Sequence, residues 1–450
     1  MNNFKRLDFI FIFLAAVIGG LMLFFPIHYM LFVFIIVPVI VFLIAKPHYC
    51  YYAIVLSIPL VRPNIHYIHL QDVLIYLCLI GAFLNSKREE KVNLVTTINV
   101  WVIAILILFL IKGFTALDLP RGMLYSIRFF EAVSLFYLTV YFIRARQVSI
   151  SMIIKLLLFT SLFQASLGVV QSLTNKFGVQ DYCTNRGYFG YLGLGSTYIC
   201  SGRGTFWHFA PFGHYLTIIL LFFLPIYHYC IKNKAIGKVI IGILFAGILF
   251  SYSRGALSGL ILGYLYYLFY VEKNKINFFK KLGFVTLIIM PFVVYFLSSG
   301  YLDTLNPRNS IWDVHFAYLQ DNPLHLWFGT GFESRIYGYF QYVPGNVPLD
   351  KYLNYNAHNL YLIFIEELGI IGAIIYFAFL LKIFRDTFFR IAKGSKLSRA
   401  LNLSLHLTLF FIFYGGLNDH AFHHPYMQIF LMLMLGIVYA KNKKLDTKTA

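Results

Sequence analysis

His358 and Asn359 stand at the polar mouth of a long apolar run that continues to about residue 384, with Gly369 and Gly372 deeper in it. An imidazole has an ordinary pKa of about 6.5 and takes a proton at neutral pH. At such a mouth it is suited to draw the proton from a hydroxyl nucleophile. Three arginines with unusual neighbours accompany it. Arg203 lies in Gly202-Arg203-Gly204-Thr205-Phe206, and Arg254 in Ser251-Tyr252-Ser253-Arg254-Gly255-Ala256. Arg308 precedes Trp312 by four residues, which puts both on one face of a helix if that segment is helical. A guanidinium offers a planar fork that grips one phosphate group with two hydrogen bonds and stays charged at any working pH. Gly204 and Gly255 would let backbone N–H groups approach an anion closely. The plainer reading is that these arginines snorkel to lipid headgroups. Three of them, flanked by Gly or Trp and sorted to the histidine's side, favour an anion site.

The chemistry this set suits is a displacement. A base deprotonates a hydroxyl, and arginines neutralise a diphosphate leaving group in place of a metal. No Asp-x-Asp or Cys-x-x-Cys occurs, so neither metal nor cofactor is expected. Asp419, His420, His423 and His424 form the one cluster of metal-ligand types, in a short loop before Pro425. His208, His214, His315 and His325 read as interface or loop residues.

The elements that must hold these residues are membrane helices. Apolar residues make up 60% of the 450, charged residues 12%, and mean hydropathy is +0.73. A soluble domain has roughly 45–50% apolar and about 25% charged residues. The runs are continuous rather than alternating, which excludes a barrel. The sequence predicts an all-α polytopic membrane protein, one integral domain over 1–450 with about 12–14 spans, since about 20 apolar residues cross a bilayer. They fall near 9–25, 31–45, 51–61, 73–84, 100–111, 123–142, 152–173, 209–230, 239–252, 257–271, 284–297, 360–384, 403–417 and 427–440. The third is short and reads equally as re-entrant.

The net charge of +19 is sorted by loop, which is a topology signal and no sign of nucleic acid. With Lys5 and Arg6 in the cytoplasm, the short loops bearing Lys87, Arg88, Arg144, Lys232, Lys234, Lys273, Lys280, Arg390 and Lys396 also fall inside, and so do both termini. Two long loops, 174–208 and 298–357, then lie outside with Arg254 and His358. The second is rich in tyrosine, which suits a sugar face or an interfacial belt equally. Cys183 and Cys200 share the first outer loop, where an oxidising compartment would let them pair. Arg128 and Glu131, three apart in one span, read as a structural ion pair.

His358-Asn359, nine residues, Gly369, two residues and Gly372 resemble the histidine–glycine motif of the O-antigen ligase family, which also takes in O-antigen and capsule polymerases. Ser253-Arg254-Gly255-Ala256, Arg308 with Trp312, Pro323 followed by Gly329 and Gly331, and Arg203-Gly204 with Phe206 are similar to its other recurring stretches. The resemblance covers about Arg203 to Gly372. It implies a metal-independent, inverting glycosyltransferase of the GT-C type in the bacterial inner membrane, with a periplasmic active site. The implied donor is an undecaprenyl-diphosphate-linked glycan. The implied acceptor is lipid A-core for a ligase, or a lipid-linked repeat unit for a polymerase, which would also call for a chain-length regulator. It gives His358 the role of catalytic base and Arg203, Arg254 and Arg308 that of diphosphate holders, with Asn359 and Trp312 in support. A lipid-sugar flippase is the reading from another class, but it calls for charge on both sides of a central path, and here the candidate site is one-sided.

Overall fold

The computed structural model describes residues 38–60, 69–85, 92–176, 183–184, 199–206, 208–272, 274, 276–283, 306–334, 342, 357–417 and 419–441. The protein is an all-α polytopic membrane protein. Among the described residues, four helices are long and apolar enough to cross a bilayer: Leu119–Arg144 (α5), Ile150–Thr174 (α6), Leu360–Ile391 (α12) and Lys396–Gly416 (α13). Pro38–Ala45 (α1) and Pro47–Ser57 (α2) pass the same test together but bend by 107°. Pro47 opens α2 at a position where no backbone N–H is needed. Shorter apolar helices are Leu70–Asn85 (α3), Asn99–Phe114 (α4), Phe209–Phe223 (α7) and Pro425–Lys441 (α14). Lys234–Phe250 (α8), Arg254–Val271 (α9), Asn306–Asp321 (α10) and Pro323–Phe328 (α11) complete the set used below. The expected spans at 9–25 and 284–297 and the start of that at 31–45 lie outside the described residues.

In a bilayer, backbone groups must be satisfied within the helix, so tight helix contacts rather than hydrophobicity decide the arrangement. Small residues mark those contacts. α14 lies along α5 where a Cβ on Gly436 would meet Thr139 Cβ at 2.6 Å, and α8 meets α6 where one on Gly247 would meet Ala165 Cβ at 2.8 Å.

The helix ends sort into two groups. At one end, Arg144 donates to the Asn93 and Val95 carbonyls (2.6 and 2.9 Å) and to Tyr439 O, while Arg390 reaches Thr97 and lies 5.2 Å from the Tyr439 ring centre. The other end gathers residues 199–206, 208, 251–253, 322–334, 357–359, 417 and 419–424. There the Gly202 N–H donates to Phe250 O (2.8 Å), Leu117 N–H to Ser334 Oγ (2.8 Å) and Asn359 Nδ2 to Leu417 O (3.5 Å). Two-residue strands, Cys183–Thr184 (β1) and Ile199–Cys200 (β2), pair antiparallel with Cys183 opposite Cys200. Cys200 is disulfide-bonded.

Glu131 is buried and engages Asp72 and Tyr76 as well as feeling Arg128. The buried carboxylate thus sits where α3 meets α5.

Candidate functional site

Asn359 caps α12: its Oδ1 accepts the Tyr361 and Leu362 N–H groups at 3.0 and 3.1 Å. An Asn at this position satisfies orphan donors of the first turn. The cap puts His358 just outside the helix, with a left-handed backbone at φ 45°. Trp312, on α10, donates from Nε1 to Ala357 O at 2.6 Å and fixes the chain one residue before the imidazole. Trp312 and Asn359 thus fix the backbone on either side of His358.

Gly369 breaks α12 at φ 75° and ψ 169°. The turn after α11 docks there. Thr330 N–H donates to Glu366 O (2.8 Å) and Gly331 N–H to Glu367 O (3.0 Å). The approach is close enough that a Cβ on Gly369 would strike the Trp327 carbonyl, and one on Gly329 the Glu367 carbonyl. Irregular backbone at membrane depth is tolerated when protein satisfies it in this way. Glu366 and Glu367 are fully buried, and each binds a histidine: His315 Nδ1 pairs with Glu366, and His423 Nε2 with Glu367 Oε2 at 2.6 Å. Glu367 Oε1 also accepts the Glu333 N–H (3.1 Å). The two carboxylates thereby lock α10, the 329–334 turn and the 419–424 loop to the helix that presents His358. His315, expected as an interface or loop residue, is instead a buried partner within this lock.

The 419–424 loop completes the pocket. The donor atoms of His358, Asp419 and His420 all lie within 4.8 Å of one another, and the rings of His358 and His420 meet edge-on at 5.4 Å. His208, at the N-cap of α7, lies within electrostatic reach of His358, Asp419, Arg203 and His214. Burial holds its pKa down to about 4; Asp419 opposes this, while His358, Arg203 and His214 act in the same direction as burial. His208 Nδ1 accepts the Ala210 N–H at 3.1 Å. The neutral ring therefore carries its proton on Nε2. His208 is a loop residue, as expected, and lies beside His358.

Arg203 is 8% exposed. Two glutamines of α6, seven residues apart, hold its loop. Gln171 accepts the Arg203 N–H (3.0 Å) and donates to Gly204 O (2.8 Å), while Gln164 accepts the Thr205 N–H (2.8 Å). Gly204 has φ 56°, and a Cβ there would strike Gln164 Oε1. The glycine thus serves close contact with α6, and the amides on either side of it are already bonded, contrary to the expectation that they face an anion. Arg254 is the first residue of α9, exposed, just after the N-cap Ser253. The 251–253 break beneath it sits on α7, where a Cβ on Gly213 would meet Ser251 Oγ at 2.7 Å. Arg308 lies in α10 as expected, two residues from its start, but its side chain is outside the described residues.

Among the described residues, two side-chain sets have metal-ligand chemistry: His358 with Asp419 and His420, and Glu333 with Glu367 and His423. A bare sequence reading could have weighted Asp419 and His420 only through their adjacency, and Gln164 and Gln171 only as polar residues in an apolar run.

Residues 239–377 match the family model of the O-antigen ligase. The chain is thus similar to O-antigen ligases over the stretch that carries Arg254, Arg308, Trp312, His358, Gly369 and Gly372. Arg203, His208, Asp419 and His420 lie outside the matched residues. No curated protein is matched by the chain. The chain is thus a multi-pass membrane protein that is similar to O-antigen ligases over residues 239–377.

Proposed function

We propose that the protein transfers a glycan from undecaprenyl diphosphate to an acceptor hydroxyl, with lipid A-core as the acceptor, at the periplasmic face of the inner membrane. His358 takes the acceptor's proton. The acceptor oxygen bonds to the anomeric carbon, the bond from that carbon to the phosphate oxygen breaks, and the carrier diphosphate leaves. Attack from the side opposite the leaving group inverts the anomeric centre. Arg203, Arg254 and Arg308 neutralise the charge that collects on the diphosphate, a role in which preorganised cations are most effective. Asp419 beside His358 favours the imidazolium that forms, as a carboxylate near a cation does.

The observation that carries this reading is the convergence of His358, Asp419, His208 and Arg203, from three separate segments, at one end of the bundle. The basic loops at the opposite end favour that end as cytoplasmic. The test is the surface glycan profile of a null strain. Loss of glycan from the outer-membrane acceptor, with accumulation on the carrier lipid, is expected. Single repeat units remaining on the acceptor would instead make the protein a polymerase, using the same donor and site.

A further inference from the structure

The pocket around His358 also has the composition of a transition-metal site. His358, Asp419 and His420 offer two imidazole nitrogens and one carboxylate oxygen, all within 4.8 Å of one another. Two imidazoles and a carboxylate are a set that zinc takes, at about 2.0–2.2 Å per donor. Tetrahedral ligation needs the donors about 3.3 Å apart, so closure by about 1.5 Å, shared among three side chains, is enough. None of the three lies within a regular α-helix.

The carboxylate is already oriented. The Asp419 N–H donates to Gly415 O (2.9 Å), and Asp419 Oδ1 accepts the His420 N–H (2.6 Å) and lies 3.4 Å from His420 Nδ1. Outer partners of this kind raise metal affinity by fixing the ligand's direction. The second set, Glu333, Glu367 and His423, is poorer. Both Glu367 oxygens are engaged there, one by the Glu333 N–H and the other by His423 Nε2.

We propose that His358, Asp419 and His420 bind a borderline divalent cation, with zinc as the probe, and that its binding silences transfer. An imidazole whose lone pair is on a metal has none left for the acceptor's proton. The donors must still close together to ligate, so the site is not preformed and the ion is a reversible inhibitor rather than a resident cofactor. Binding rests on the donor set alone; the loss of transfer rests on the reading of His358 as base.

The experiment uses the full chain in detergent, stripped with EDTA and freed of it. Zinc chloride is titrated by calorimetry, and transfer is measured on the same preparation at graded free zinc. One zinc per chain is expected. Asp419→Asn and His420→Gln should each weaken binding at least about 10-fold, the loss that even an outer partner can cause. His325→Gln, on α11, should leave binding unchanged. Transfer should fall as the site fills, return on adding EDTA, and run at full rate in stripped protein. No binding, binding indifferent to both substitutions, or transfer that requires zinc would overturn the proposal. Binding with the expected variant pattern but undiminished transfer would leave the metal site standing and overturn the silencing, and with it the role of His358 as base.

Discussion

Gly369→Ala probes how the histidine's helix is held. At φ 75° and ψ 169°, Gly369 occupies a region that is essentially closed to other residues and costs them about 1–3 kcal/mol. The new Cβ would also strike the Trp327 carbonyl and stand 2.5 Å from the Phe328 carbonyl carbon. Both are backbone atoms, so relief requires the turn after α11 to back away, at about 1–3 kcal/mol as in an overpacked core. The two costs together come to about 2–6 kcal/mol. The first bonds lost are those from Thr330 and Gly331 to the Glu366 and Glu367 carbonyls. Gly372 is the internal control. Its backbone is helical, and a Cβ there would meet Leu368 Cβ at 2.8 Å and Leu108 Cδ1 at 3.3 Å. Side-chain atoms alone stand in its way, so Gly372→Ala should cost less, about 1–2 kcal/mol. Apparent melting of both variants is read by fluorescence size-exclusion in detergent, and transfer is read per folded protein in membranes of a null strain. Gly369→Ala should melt well below the parent and lose transfer, with Gly372→Ala between the two. A Gly369→Ala protein that melts and transfers like the parent, or a Gly372→Ala protein that is the worse of the pair, would refute the reasoning.

His358→Ala should lower transfer by about 10²–10⁴-fold, the usual contribution of a general base, with insertion and melting unchanged; retained transfer would remove it as base. Arg254→Lys should be nearly as damaging as Arg254→Ala if a bidentate phosphate contact matters, and a fully active lysine variant, measured in the same membranes, would reduce its role to plain charge. His208 is held neutral in the folded protein, with a pKa of about 4 against an ordinary 6.5. Between those values the unfolded chain binds the extra proton, so stability is lost as pH falls from about 6.5 to 4. Melting followed across that window should show a smaller loss in His208→Gln, and an identical profile would contradict the burial argument.

The apolar runs alone determined that this chain is a membrane helical protein, because lipid admits only helices and closed barrels and the runs are continuous rather than alternating. The loop charges determined how its ends sort, and the motif residues located α9, α10 and the start of α12. What Asn359 and Gly369 do was decided only by tertiary structure. Asn359 is a helix cap, and Gly369 is the break into which a turn more than thirty residues upstream inserts. Asp419 and His420 are sixty residues from His358, and His208 is farther still. They meet it because α7, α12 and α13 begin or end at one level and are rotated to face one another. Sequence carries little of that rotation. Every face of a membrane helix is apolar to a first approximation, so the amphipathic stripe that orients helices in water is missing. Orientation is set instead by scattered contacts: Gly213 on Ser251, Gly247 on Ala165, and Gln164 and Gln171 holding the Arg203 loop. Each has meaning only once its partner is known.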